Sequence, residues 1–202
     1  MFDLSDVISE MDEDSQQALI GLHAFTGNDY SPAFFRKGKK TCLALMETKA
    51  EFKSFFAELG DSMDLDEIEN LLPFAEKYVC KLYPSVKRYS NVNKARHHMF
   101  SQNVKSGKIV DLSVIPPCSS VLKNHLLRAA FISNMWKNSS VAVNYQYQMS
   151  EYGWNDDGSM FWTDRLFPED LEEVMEDEEY KQLFEDGNPP FDESFSDDEM
   201  GF

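Results

Sequence analysis

His23-Ala24-Phe25-Thr26-Gly27-Asn28-Asp29-Tyr30-Ser31-Pro32-Ala33-Phe34-Phe35-Arg36-Lys37-Gly38-Lys39-Lys40 is the stretch whose reading decides the fold. Ahead of it Leu19, Ile20, Leu22, His23 and Phe25 fall at helical spacing, Asp14 or Ser15 can cap that helix, and Gly27 is placed to end it. His23 on this apolar face reads as a hydrogen-bonded core histidine. Ser31-Pro32 reads as a cap followed by a first-turn proline, opening a short helix through Phe34-Phe35. Gly38 breaks that helix, and Lys39 to Glu47 resumes one with Leu43, Leu45 and Met46 inward. The prediction is a helix–turns–helix with a glycine loop. Its order suits phosphate chemistry, with an acidic side chain to hold a cation and backbone amides and lysines to hold a strand.

Outward from this stretch the helical grammar continues. Phe52, Phe55, Phe56 and Leu59 make an amphipathic helix stopped by Gly60. After a polar connector at 61–66, Ile68, Leu71, Leu72, Ala75, Val79 and Leu82 trace a longer pattern, with Pro73 marking a kink or a break. Val92 to Phe100 is a further helix with Asn91 or Asn93 as cap. Ile115 to Ser119 is an extended lead-in to a helix from Ser120 to Lys137 that buries Leu122, Leu126, Ala129, Ala130 and Ile132. Leu4, Val7, Ile8 and Met11 predict a short opening helix. Beyond Lys137, Val141, Val143, Tyr145 and Tyr147 alternate as an extended segment would, and Asp157-Gly158 between Trp154 and Trp162 signals a hairpin. Pro168 to Met175 reads as a last short helix. The expected fold class is mainly α: a helical domain over 1–137, an irregular extension with a small β-hairpin over 138–176, and a disordered acidic tail over 177–202.

The net charge of -17 misleads as an average. Residues 1–150 hold 17 Asp/Glu and 17 Lys/Arg, whereas residues 151–202 hold 19 acidic residues against Arg165 and Lys181. A neutral globule therefore carries an acidic tail, which either solubilises it or folds over its basic surface as a nucleic-acid mimic. Arg36, Lys37, Lys39 and Lys40 cluster within the globule. Eight further cations follow between Lys77 and Lys108, where no Asp or Glu interrupts them. This is either a solvated basic surface or a footprint for phosphates. Cys42, Cys80 and Cys118 are odd in number and form no CxxC pair, which favours reduced thiols. The acidic opening Phe2-Asp3-Leu4-Ser5-Asp6 lacks a signal-peptide pattern, and no stretch approaches the roughly 20 apolar residues of a membrane span. An intracellular protein, nuclear or cytoplasmic and without a membrane role, is expected.

Leu19 to Ser31 followed by Phe34-Phe35-Arg36-Lys37-Gly38-Lys39 resembles the "LHALTGCDxxSAFxxKGK" signature. That signature belongs to PIN-like, flap-endonuclease-like proteins abundant in invertebrate genomes and mobile-element contexts. Val92 to Arg96, Leu112 to Cys118 with His125 to Ala130, and Tyr152-Gly153-Trp154 with Phe167 to Leu171 are similar to the same family, so the resemblance spans about residues 4–175. It implies that Asp29 matches a carboxylate of a two-metal site holding Mg or Mn. It also implies that Arg36, Lys37, Gly38, Lys39 and Lys40 match a loop gripping the DNA backbone. Asn28 stands where the family has Cys, a change that leaves the carboxylate in place.

A two-metal site needs several oxygen ligands. Asp3, Asp6, Asp12, Glu13 and Asp14 precede Asp29 on or beside helices, not at strand ends, so an intact site requires residues from elsewhere. Read locally, Asp29 is equally a cap or turn residue and the 36–40 segment a solvent-facing basic turn. His97-His98 lack a zinc partner at i+4, and Cys118, Ser119, Ser120 and His125 form no nucleophile elbow. Trp136, Trp154 and Trp162 read as core and hairpin anchors. The expected function is a truncated, non-catalytic PIN-like nuclease relative that retains the DNA-backbone-binding half and is not an enzyme by itself. The alternatives are a nuclease component completed in trans or by upstream sequence, and a protein-interaction module of mobile-element origin whose partner the sequence does not name.

Overall fold

In a computed structural model the chain divides into two compact units, residues 1–166 and 167–202. The structure describes residues 11–105, 112–141 and 147–160, all in the first unit. These are mainly α-helical, as the sequence predicts, and contain no strand. The helices are α1 (Glu13–Phe25), α2 (Lys39–Met46), α3 (Ala50–Glu58), α4 (Leu65–Glu69), α5 (Leu72–Leu82), α6 (Val92–Lys105) and α7 (Ser119–Lys137). The opening helix, residues 142–146 of the extended segment, the far flank of the hairpin, the last short helix and the acidic tail lie outside the described residues, as do Lys108 and Trp162.

The first helix begins earlier than its apolar pattern implies. Asp12, rather than Asp14 or Ser15, is the cap, and its Oδ1 accepts the Ser15 N–H at 3.0 Å. Ser15 is buried, its hydroxyl 2.7 Å from Asp12 and 3.0 Å from Glu47. Lys53 joins the same two carboxylates at 2.8 and 3.0 Å. Bonds from Lys53 and Ser15 hold the Asp12 carboxyl well below the usual carboxylate range. This polar knot ties the start of α1 to α3 and the end of α2.

Helix α1 packs chiefly against α3 and α7. At Gly21 the approach of α3 is so close that a Cβ would stand 2.1 Å from the Phe56 carbonyl oxygen. A mid-helix glycine costs about 0.5–1 kcal/mol relative to alanine, and here the close approach is what requires it. Phe25 is the hub of the core, with ring centroids of Phe34, Phe55, Phe56 and His125 within 5.0–5.7 Å. Tyr78 packs edge-on against Phe56 at 4.8 Å and donates its hydroxyl to the Cys42 carbonyl at 2.7 Å. Cys42, Cys80 and Cys118 are free and buried, and burial pushes the Cys80 thiol up to about 12.

Pro73 marks a break, not a kink: it falls in the first turn of α5, where its missing N–H removes no helical bond. Asp64 caps α4 by accepting from the Asp66 and Glu67 amides at 3.0 and 3.1 Å. Asn91 does the same for α6 through the Lys94 amide at 3.0 Å. Two further expectations fail. The helix predicted from Ser31 through Phe35 does not form, because the Ser31 hydroxyl donates to the Ala24 carbonyl at 3.0 Å and its backbone pairs with Asn28, so no cap is left for a new helix. His23 is exposed and stacks on Trp136 at 5.2 Å; the buried histidines are His98 and His125.

The hairpin signal becomes a single bridge between Trp154 and Met160 around a turn at 155–158. Trp154 is buried beside Phe131, and the Tyr152 hydroxyl donates to the Met63 carbonyl at 2.6 Å. No helix among the described residues is long and apolar enough to cross a membrane.

Candidate nucleic-acid interface

Asn28 builds the turn that follows α1. Its Oδ1 accepts the Tyr30 amide at 2.8 Å, and its Nδ2 donates to the Ala24 carbonyl and the Ser31 hydroxyl at 3.1 and 2.9 Å. This Asx turn sets Asp29 at its exposed tip. Asp29 makes no hydrogen bond or ion pair among the described residues, although its charge reaches His23. Burial and Lys39 lower the His23 pKa, and Asp29 only partly opposes them. Among the described residues no three His, Cys, Asp or Glu side chains gather where a metal ion could sit, so Asp29 belongs to no such group there.

The five predicted backbone-binding residues separate into distinct roles. The Lys39 ammonium reaches back to the end of α1 and donates to the His23 carbonyl (2.7 Å), the Thr26 hydroxyl (3.0 Å) and the Gly27 carbonyl (2.5 Å). These are acceptors at a helix C-terminus, where a cation satisfies orphan carbonyls and complements the helix dipole. Lys37 is half-buried with its ammonium 4.4 Å from the Tyr83 ring centroid, and burial lowers its pKa as it does that of Lys39.

Arg36 and Lys40 are exposed and, unlike the exposed Lys39, make no hydrogen bond or ion pair among the described residues. Arg36 holds the left-handed conformation with φ 55°, which completes the turn closed by the Lys37 amide on the Phe34 carbonyl at 3.0 Å. Its guanidinium lies 5.0 Å from the centroid of the exposed Phe35 ring. Gly38 is extended, with φ -73° and ψ 157°, and forms the cap of α2 without a side-chain bond. A Cβ there would meet nothing within 4 Å, so the space beside Gly38 at the start of α2 is open.

Cations of the 77–108 stretch are also largely committed. Lys77 pairs with Glu51 at 2.7 Å, Lys81 donates to the Lys87 carbonyl, and Arg88 reaches the Tyr89 hydroxyl at 3.2 Å. Arg96 donates to the Pro116 carbonyl at 2.7 Å. Burial lowers its pKa, with Cys118 and Tyr83 opposing.

A cavity of about 210 Å³ adjoins the basic turn on the side of Phe34 and Phe35. Tyr83, Ile115 and Val121 supply apolar wall, and Arg96, His125 and Arg128 supply polar atoms. His125 is 5% exposed. Its Nε2 lies 2.6 Å from the Phe25 carbonyl, which makes Nε2 the protonated nitrogen. Burial holds its pKa down at about 4, so the ring is neutral near pH 7. Arg128 is buried and donates to the Gly153 carbonyl at 2.7 Å, fixing the segment around Tyr152 to α7.

Sequence reasoning missed this concavity. A His and an Arg three residues apart inside the apolar run of α7 share one helix face and were its only local signal. A second missed feature is Glu76, a buried carboxylate that accepts from Ser119 and from Asn91 (3.1 Å) and locks α5 to the start of α7. Compared with known proteins, the chain matches no family model, no curated protein and no solved structure.

Proposed function

We propose that this chain is a non-catalytic relative of PIN-like nucleases that binds the nucleic-acid backbone through the turn joining α1 to α2. Arg36 and Lys40 supply the charge, and the first amides of α2, beside the open space at Gly38, supply hydrogen-bond donors. The observation that carries the reading is the placement of two exposed cations with no hydrogen bond or ion pair among the described residues, Arg36 and Lys40, beside an uncapped helix start, within residues 30–46, which contain no Asp or Glu. Backbone contacts of this kind position a protein without reading sequence. Asp29 serves the turn in this reading, since it belongs to no group of three or more metal-ligating side chains among the described residues.

The test is binding of the full chain to duplex and branched DNA across a salt series, with and without Mg²⁺ or Mn²⁺. The reading expects sequence-independent binding that falls steeply with salt and no cleavage. Absence of binding at low salt would favour a protein-interaction module. Metal-dependent cleavage abolished by Asp29→Ala would instead support a nuclease component.

A further inference from the structure

The cations of this fold differ in how they are balanced. Lys53, Lys77, Lys123 and Lys137 each meet a carboxylate, at 2.6–2.8 Å for their shortest pairs. Arg96 does not. It is partly buried, it donates one bond to the Pro116 carbonyl, and its other N–H groups have no protein acceptor among the described residues. It stands in the wall of the cavity beside the basic turn, and none of the described residues lining that cavity is acidic. A guanidinium withdrawn from water without a counter-charge is costly, and a bound anion relieves that cost. A planar carboxylate matches the fork of its donors.

The rest of the wall sets the body of the ligand. Phe34, Tyr83, Ile115 and Val121 are apolar or aromatic, and a cavity of about 210 Å³ is smaller than the roughly 300 Å³ at which drug-sized sites begin. That volume suits an acid on the order of ten non-hydrogen atoms. His125 adds a second polar atom. With Nε2–H given to Phe25, its Nδ1 is an acceptor that no protein donor among the described residues satisfies.

We propose that this cavity binds a small aromatic carboxylic acid, with its carboxylate on Arg96 and its ring against Phe34, Ile115 and Val121. The proposal is independent of nucleic-acid binding, because Arg36 and Lys40 take no part in it.

Calorimetry and ligand-observed NMR on the full chain test it with benzoate, its neutral isostere benzamide, and inorganic phosphate as an anion without an apolar body. Benzoate is expected to bind one-to-one, at least about tenfold more tightly than benzamide or phosphate, a factor of ten being about 1.4 kcal/mol. Arg96→Gln is expected to remove that preference. Leu112→Glu places a carboxylate on the cavity wall at a position 47% exposed, where folding is spared, and is expected to weaken benzoate at least about tenfold as well. Equal affinity for benzoate and benzamide, phosphate binding as tight as benzoate, unaltered benzoate binding by Leu112→Glu, or no benzoate binding to the wild type would each overturn the proposal.

Discussion

The basic turn after α1 and the cavity beside it make an instructive pair. The turn concentrates four cations within residues 36–40, yet Lys39 is bound into the C-terminus of α1 and Lys37 lies against Tyr83. The cavity draws polar atoms from Arg96, His125 and Arg128, scattered along the chain, and its guanidinium at Arg96 meets no carboxylate among the described residues. Density of charge along a sequence therefore differs from availability of charge in space. What decides availability is which carbonyls a folded helix leaves unsatisfied nearby.

The comparison breaks most severely at His125. His125→Ala should cost about 3 kcal/mol in urea unfolding, because it empties volume between Phe25 and Phe34 and strips the Phe25 carbonyl of its donor. A loss below about 1 kcal/mol would mean the ring is not a keystone of the core. The same residue sets a pH dependence. Its folded pKa of about 4 lies below the ordinary histidine value, so the unfolded chain takes up a proton first as pH falls. The stability it contributes is complete above about pH 6.5 and declines by about 1.4 kcal/mol per unit down to pH 4, or about 2 kcal/mol at pH 5. His98, also held at about 4 by burial, Arg88, His97 and Lys105, adds in the same direction. Unfolding curves at pH 7 and 5 check this: the gap should narrow in His125→Gln.

How much of this was legible in the sequence follows from range. Helices α2, α3 and α7 were readable because their apolar spacing, with Gly38 before α2, Gly60 after α3 and Pro116-Pro117 ahead of α7, is a local signal. The helix predicted at Ser31 failed because the Ser31 hydroxyl and the Asn28 side chain both turn to the Ala24 carbonyl, a choice made by the tertiary turn and not by the Ser-Pro pair. His23 fails its core reading for a similar reason: His23 and His125 both sit on apolar-looking helices, and only the packing of α7 on α1 determines which ring is covered. In the candidate site the basic cluster was visible as composition. The service of Lys39 to α1 was not, since it spans 12–16 residues between atoms of no distinctive pattern.

Smaller changes sharpen the division within the turn. Lys39→Met should lower stability by about 1–2 kcal/mol, since three acceptors at the end of α1 lose a charged donor. Arg36→Gly should do the opposite, raising stability by about 0.5–1 kcal/mol by relieving the left-handed strain at φ 55° while removing a cation. Thermal unfolding of both variants checks these signs, and equal effects would erase the distinction between hydrogen-bonded and uncommitted cations.

The most direct measurement of the central claim is the salt dependence of DNA affinity for the wild type and for the double variant Arg36→Gln/Lys40→Gln. Backbone binding through the turn predicts unchanged thermal stability and a slope of log affinity against log salt shallower by about 1.8, since each of the two cations neutralises one phosphate. An unchanged slope, or a wild type that does not bind DNA, would contradict it.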